Sequence, residues 1–335
     1  MLQFTPEYEA LFAEQEAGAY ALSGGKPYMT KTIKSGRILE AETYQVLAWA
    51  DRRRAKEAAK SEKHAADVER INERNSWKRM RRLAETNFTS VDLWITLTYP
   101  DGVRAVSIEQ ARRDVQNYLQ RVRRWRKRHG MSAIKYIYVI EGSEEAETKL
   151  HHHVIMSGMD RDAAEELWRE RHAGGRTKCE RLQPDDSGLE QVTRYMLKQP
   201  RERGRDGRLK KQKRWNASRN LKTPVETVSL RKISRRKAER IATTLGADPG
   251  AAREVYERAY PGYRFVKLEV RWSAVVPGPY LYAQMIKDDR GKENGGGAVL
   301  GMCGAGGGMS RELQKIRGIP RGGGQTTGKT KRPKN

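Results

Sequence analysis

A run of alternating strand and helix patterns between residues 91 and 200 constrains the fold of this chain more than any other feature. Strand segments, rich in β-branched and aromatic residues, cover residues 93–99, 134–141, 149–156 and 179–182. Helical segments cover residues 107–129, 160–168 and 189–199. The order β-α-β-β-α-β-α predicts an α+β fold, a ferredoxin-like (split βαβ) antiparallel sheet with helices on one face and the other face open.

The chain outside this core changes in composition from one end to the other. Residues 31–44 predict a hairpin turning at Ser35-Gly36, and residues 51–83, which lack Gly and Pro, predict a long charged helix. Residues 286–335 hold 14 of the 31 glycines, too many to offset their ordering entropy. We therefore expect four regions: a helical N-terminal extension (1–90), the core (91–200), a basic accessory region (201–285) and a Gly-rich, disordered basic tail (286–335).

The charge of the chain indicates a polyanionic partner. Lys and Arg number 67 against 42 Asp and Glu, and residues 201–240 alone hold 16 basic against 4 acidic residues. A solvated linker can carry such a bias, but phosphate neutralisation is its commonest use. No amphipathic helix with a bulky apolar face accompanies it, so a membrane surface is not the expected partner. The candidate DNA-binding residues are Lys210, Lys211, Lys213 and Arg214, with Trp215 placed to stack on a base.

Three classes of protein are excluded by the sequence. No stretch of about 18 apolar residues predicts a transmembrane helix, and the acidic N-terminus does not resemble a signal peptide, so we expect a cytoplasmic protein. Cys179 and Cys303 are too few for a disulfide framework or a thiolate zinc site. Residues 323–330 (GGQTTGKT) match the P-loop pattern, but no buried strand precedes them and only five residues follow Thr330. Lys329 is therefore a chance match rather than an ATP-binding lysine.

Three consecutive histidines occupy the third strand segment. Because side chains alternate along a strand, His151 and His153 share one face, whereas His152 points to the other face with Leu150 and Val154. Two imidazoles on one face can chelate a divalent ion, although a polar strand edge would give the same pattern. His152 is expected to be packed and not to be a ligand.

Glu141 ends the preceding strand segment. If the two strands form a hairpin, this carboxylate lies near the histidines, and two imidazoles with one carboxylate suit Mn²⁺ or Mg²⁺. A surface glutamate at a strand end is equally common. Glu144 and Glu145 in the connecting loop are competing candidates.

Tyr195 and Lys198 share a face of the last predicted helix, since they are three residues apart. A tyrosine hydroxyl titrates near 10, so it is a poor nucleophile unless a metal or cation assists it. Lys198 can supply that positive charge. A core tyrosine beside a solvated lysine is the alternative interpretation.

The motifs become specific when they are taken together and in order. LWITLTYP (93–100), then His-x-His (151–153), then Tyr-x-x-Lys (195–198) resemble the three motifs of rolling-circle replication initiators, endonucleases of the His-hydrophobe-His superfamily. The flanks RRLAETNFTSVD (81–92) and RWNASRNL (214–221) extend the resemblance over about residues 80–283. It is greatest to the initiators of single-stranded DNA phages, prophages and small plasmids.

The resemblance implies a function and roles for residues. His151 and His153 would be metal ligands with Glu141 as the third, Tyr195 the nucleophile, and Lys198 its assistant. The activity implied is nicking and rejoining of single-stranded origin DNA through a 5′-phosphotyrosine, with Mg²⁺ or Mn²⁺. The setting implied is the cytoplasm of a bacterial host, whose helicase and polymerase would be partners.

Two departures from the family pattern and two alternatives accompany this interpretation. His152 stands where the family usually has a bulky apolar residue, and Gln191 stands one turn before Tyr195, so a paired-tyrosine mechanism is not expected. A transposase or relaxase would share the same site. A non-catalytic nucleic-acid-binding module would instead use sheet aromatics such as Tyr136 and Tyr138.

Overall fold

The computed structural model describes residues 27–46, 62–100, 107–142, 150–198, 213–244, 249–272 and 278–289. The described strands are β1 (Tyr28–Ser35), β2 (Ile38–Gln45), β3 (Leu93–Thr98), β4 (Tyr136–Glu141), β5 (His151–Met156), β6 (Thr177–Arg181), β7 (Asn216–Ala217), β8 (Val225–Ser229), β9 (Tyr263–Arg271) and β10 (Tyr280–Lys287). The described helices are α1 (Glu62–Asn87), α2 (Ile108–Arg128), α3 (Arg161–Arg169), α4 (Glu190–Met196), α5 (Arg235–Thr244) and α6 (Pro249–Ala259). They accompany two five-stranded antiparallel sheets, so the predicted α+β class is confirmed. None of these helices has the length and apolar character needed to cross a membrane.

The first sheet, the core sheet, has the strand order β6-β3-β5-β4-β7. Its chain order β3-α2-β4-β5-α3-β6-α4 is the one predicted for the split βαβ arrangement, with β3 and β5 at the centre. The fifth strand, β7, comes from residues that follow the core and pairs with the outer edge of β4.

One face of the core sheet is covered by α2 and α3, as the apolar spacing of those helices predicts. Val115, Leu119 and Val122 of α2 are buried against strand residues of this face. Ser107 caps α2, its hydroxyl accepting a hydrogen bond from the backbone N–H of Gln110 at 3.1 Å. This layer is a closed apolar core.

The opposite face, which we expected to be open, is partly covered by α1 and α4. Met80, Ala84 and Phe88 of α1 form an apolar stripe at four-residue spacing, and they pack with Val192 and Met196 of α4 over the sheet. The high charge of α1 hides this stripe in the sequence. The site described below lies where this cover meets the sheet.

The second sheet has the order β8-β1-β2-β10-β9. The predicted N-terminal hairpin is present as β1 and β2, and Gly36 at its turn has a φ of 55°. A Cβ atom there would lie 2.0 Å from the backbone oxygen of Glu85, so only glycine fits this close approach to α1. The sheet joins strands from the N-terminal extension and from residues 225–287, segments that the sequence analysis treated separately.

The two faces of the second sheet differ in chemistry because apolar and acidic residues alternate along β2. Leu39 and Ala41 face a core formed with α5 and α6. Glu40 and Glu42 are buried on the other face, where they meet Arg81 and Arg82 of α1. Helix α1 therefore packs against both sheets.

Candidate active site

Antiparallel pairing of β4 with β5 brings one carboxylate to two imidazoles. Glu141 lies directly opposite His151 in the register, and Val139 lies opposite His153. The Oε2 atom of Glu141 is 2.8 Å from Nε2 of His153 and 3.5 Å from Nε2 of His151. The expected hairpin therefore forms, and it gathers the three predicted ligands into what we call the Glu-His-His cluster.

The donor set of the Glu-His-His cluster fits a divalent metal ion. One ligand atom from each of the three residues lies within 4.8 Å of the others. The hydroxyl of Thr96 on β3 is 3.2 Å from Nδ1 of His153, so it can accept the Nδ1 hydrogen and leave Nε2 as the donor to a metal. Imidazole nitrogen and carboxylate oxygen are ligands of Mn²⁺ and Mg²⁺ in proteins.

Burial and hydrogen bonding set the charges in the cluster. Glu141 and His153 are buried. Burial alone would raise the pKa of Glu141, but hydrogen bonds from His151 and His153 outweigh it and hold that pKa well below its usual range. Burial lowers the pKa of His153, against the pull of Glu141. An ionised carboxylate and a neutral imidazole are the forms that bind metal.

His152 lies on the other face of β5, as predicted. Its Nε2 atom is 2.9 Å from the backbone oxygen of Ala111 in α2, and its ring packs near Tyr99 and Trp168. Burial lowers the pKa of His152 to about 4. The middle histidine is therefore a neutral core residue in the place of an apolar one.

Tyr195 and Lys198 lie at the same cluster. The Tyr195 ring centre is 5.1 Å from that of His153 and packs edge-on against Trp94 at 5.6 Å. The Lys198 Nζ atom is 3.2 Å from Oε1 of Glu141 and 4.0 Å from the centre of the Tyr195 ring. Burial alone would lower the pKa of Lys198, but hydrogen bonds with Tyr195 and Glu141 raise it, so the lysine is charged.

Helix α4, which carries Tyr195, has seven residues and is held by α1. Three α1 side chains spaced four residues apart contact it: Trp77 donates to the hydroxyl of Thr193 at 3.3 Å, Arg81 to Glu190 at 2.8 Å, and Glu85 accepts from the N–H of Leu189. Because so short a helix is marginal on its own, these contacts determine where Tyr195 lies.

The candidate DNA-binding residues are in part committed to the fold. Arg214 donates to the backbone oxygen of Leu197 at 2.9 Å and lies 3.7 Å from Glu73. The indole N–H of Trp215 donates to Ser76 at 3.1 Å, and its half-buried ring packs in the α1–α4 layer. Both residues thus support the C-terminal end of α4, and DNA contact by them stays a prediction.

The other candidates lie elsewhere in the chain. Lys213 is exposed. Lys210 and Lys211 lie outside the described residues, as do the competing loop acids Glu144 and Glu145. The Gly-rich tail beyond residue 289 also lies outside them.

Sequence reasoning missed Thr96 and Trp94, which touch the site from β3. The signal was present, because this strand alternates buried Leu93, Ile95 and Leu97 with less buried residues on the face of the Glu-His-His cluster. An alternating central strand beside a His-x-His strand indicates which side chains border the metal ligands.

Comparison with known proteins bears on the segment that holds the site. Residues 92–200 match a family model described as replication-associated protein, of the ORF2 type. The chain matches no curated protein and no solved structure. The matched segment contains the Glu-His-His cluster, Tyr195 and Lys198. The resemblance drawn from the three motifs is therefore confirmed: residues 92–200 are those of a replication-associated protein of this family, consistent with a rolling-circle replication initiator.

Proposed function

We propose that this protein is a metal-dependent tyrosine endonuclease and strand transferase that initiates DNA replication by nicking and rejoining single-stranded origin DNA. The observation that carries the proposal is the convergence of Tyr195 and Lys198 on the Glu-His-His cluster, with the Tyr195 and His153 ring centres 5.1 Å apart. A cluster that served only packing would not need a charged lysine and a tyrosine at its rim.

The tyrosine is the nucleophile of the proposed reaction. Tyr195 loses its phenolic proton, its oxygen bonds to the scissile phosphorus, and the bond to the 3′ oxygen breaks. The products are a 5′-phosphotyrosine and a 3′-OH. Glu141, His151 and His153 would hold Mg²⁺ or Mn²⁺, which supplies Lewis-acid stabilisation of the phosphate when bound. Attack of a 3′-OH on the phosphotyrosine reverses the step, so rejoining needs no ATP.

Lys198 has an electrostatic role in this scheme. It is charged, it contacts both Glu141 and Tyr195, and it stabilises negative charge on the phenolic oxygen as that oxygen attacks. It does not serve as the base, because its pKa is raised.

Affinity for the DNA comes from phosphate contacts of the basic segment that follows α4. Lys210, Lys211, Lys213 and Arg214 supply the charge, and Trp215 the candidate stacking surface. The 3′-OH product is a primer, so a polymerase and a helicase of a bacterial host are the proposed partners, in the host cytoplasm.

The non-catalytic alternative lacks its stacking platform on the core sheet. Tyr138 is 2% exposed within the α2–α3 core, and Tyr136 packs against the same core. Neither can stack on a nucleic-acid base in this arrangement. The two tyrosines are therefore accounted for by packing.

Substitution of Tyr195 by Phe tests the proposal, because it removes one oxygen and keeps the packing against Trp94. The full-length protein is incubated with single-stranded origin DNA and Mn²⁺ or Mg²⁺, and DNA that stays attached to denatured protein is measured. Wild type should carry the 5′ end of the cut strand, and chelation should prevent this. Tyr195→Phe should form no adduct.

Tyr136→Phe is the matched control, since it removes the same atom from the opposite face of the sheet, and its adduct should equal that of wild type. Undiminished adduct with Tyr195→Phe would refute the nucleophile. Cleavage without any adduct would indicate a hydrolase that uses water.

A further inference from the structure

A row of side chains crosses the core sheet at the Glu-His-His cluster and continues to its edge. Thr96 on β3 is paired with His153 on β5 and, on its other side, with Lys178 on β6. Residues directly opposite each other on antiparallel strands point to the same face. The contact between Thr96 and His153 places that face at the cluster, so Lys178 points to the face that carries it.

The neighbours of Lys178 on β6 support this orientation. Cys179 is buried in the α2–α3 core, on the opposite face of the sheet. Glu180, two residues from Lys178, lies on its face, with the two charged groups 3.6 Å apart. The Lys178 side chain is 46% exposed, so it is accessible to a ligand.

Lys178 and Lys198 lie on opposite sides of the cluster. Lys198 contacts Glu141 on the β4 side, whereas β6 is the edge strand beyond β3. Two strand spacings separate Lys178 from His153, about 10 Å between their Cα atoms, and a lysine side chain spans much of that distance. The cluster is thus flanked by two cationic groups along one line across the sheet.

We propose that Lys178 forms a second phosphate subsite, which binds an internucleotide phosphate next to the scissile one in the same single strand. This inference rests on the proposed function and gives the strand a path across the sheet, from the β4 side past the cluster to the β6 edge. An ammonium group attracts a phosphate as a point charge and reads no base, so the subsite positions the strand without selecting its sequence. The pair with Glu180 is exposed and therefore weak enough for a phosphate to replace it.

The first test compares Lys178→Gln with Lys127→Gln in the full-length protein. Lys127 is exposed near the end of α2 on the other face of the sheet, so both variants lose the same charge. Binding of a fluorescent single-stranded oligonucleotide is measured by anisotropy over a range of salt concentrations, without divalent metal. Lys178→Gln should weaken binding about two- to fivefold. Its log–log salt slope should fall by about 0.7, the value for one lost phosphate contact on a single strand.

Lys127→Gln should bind like wild type, and Lys178→Arg should retain the affinity. Equal effects of Lys178→Gln and Lys127→Gln on affinity and slope would overturn the subsite, because only overall charge would then matter.

The second test locates the phosphate. Oligonucleotides with a single neutral methylphosphonate linkage at successive positions are bound to wild type and to Lys178→Gln. One linkage beside the cleavage position should weaken binding to wild type, and the same linkage should cost nothing further in Lys178→Gln. If every linkage costs the same in both proteins, the subsite is refuted.

The outcome for the subsite is separable from that for the nicking reaction. The binding measurements need no cleavage, so a wild type that forms no covalent adduct refutes the proposed function and leaves the Lys178 comparison intact. A wild type that forms the adduct while Lys178→Gln binds like Lys127→Gln supports nicking and refutes the subsite.

Discussion

At the scale of single residues, the three adjacent histidines show how far the sequence alone reaches. The alternation of side chains along a strand was sufficient to assign His151 and His153 to one face and His152 to the other, and the structure confirms both assignments. Thr96 could not be assigned in the same way. A threonine in a strand carries no chemistry of its own, and its role depends on the register between β3 and β5, which the sequence does not state.

Thr96→Val tests whether the Thr96 hydroxyl orients His153. Valine has nearly the same shape but cannot accept the Nδ1 hydrogen, so the imidazole loses the partner that fixes its tautomer. Loss of such a partner typically lowers metal affinity about 10- to 100-fold, which a calorimetric titration with Mn²⁺ would measure.

Thr98→Val is the control, because the Thr98 hydroxyl donates to the backbone oxygen of Arg176 instead. It should bind Mn²⁺ like wild type. A Thr96→Val protein with wild-type affinity would show that the hydroxyl does not orient the ligand.

At the scale of secondary-structure elements, the relation between α1 and α4 was beyond the sequence. Both helices were predicted, and the apolar stripe of α1 is visible once its period is followed through the charged residues. Nothing local in the sequence states that this stripe covers α4, because Arg81 and Glu190 are brought together only by the fold. Helix pairing across that separation depends on three-dimensional packing.

Glu190→Gln tests the importance of the ion pairs that hold the start of α4. The amide keeps the shape of the side chain but loses the charge that Arg81 and Lys267 contact at 2.8 and 3.1 Å. Hydrogen bonds to charged groups contribute about 1.5–3 kcal/mol, so the free energy of unfolding in urea should fall by about that amount. Adduct formation should also slow, since Tyr195 is less firmly placed.

Glu166→Gln serves as the comparison, because Glu166 is exposed and forms only a 3.5 Å surface pair with Arg169. Its unfolding free energy should match that of wild type within about 0.5 kcal/mol. Equal stabilities of the two variants would mean that the Glu190 pairs contribute nothing measurable.

At the scale of the whole molecule, the second sheet was only partly foreseen. The β1–β2 hairpin was predicted from its turn, and a strand was predicted near β9. Strand β10 was missed, although it pairs with both β2 and β9. Its partner β2 lies far earlier in the chain, so no local pattern indicates the pairing.

The buried ion pairs between α1 and this sheet predict how stability depends on pH. Burial alone would raise the pKa of Glu40, but Arg81 and Arg82 outweigh it and lower that pKa to about 2. A pKa below that of the unfolded chain means that the carboxylate stabilises the fold above about pH 4.5, and that this contribution is lost as the pH falls towards 2. The contribution is about 3 kcal/mol.

Comparison of wild type with Glu40→Gln isolates this effect, because all other groups titrate in both proteins. The difference in unfolding free energy, measured by urea denaturation, should be greatest near neutral pH and shrink as the pH is lowered below about 4.5. A difference that stays constant down to about pH 2 would contradict the lowered pKa.

The position of α1 has a consequence for how this site can be inherited or engineered. The segment shared with replication-associated proteins, residues 92–200, excludes the helix that fixes the nucleophile. Recombination that moved only the shared segment into another chain would carry the metal ligands and Tyr195 but leave behind Trp77, Arg81 and Glu85. A functional transplant must therefore take α1 along or recruit a substitute for it. The unit of exchange is larger than the unit of sequence similarity.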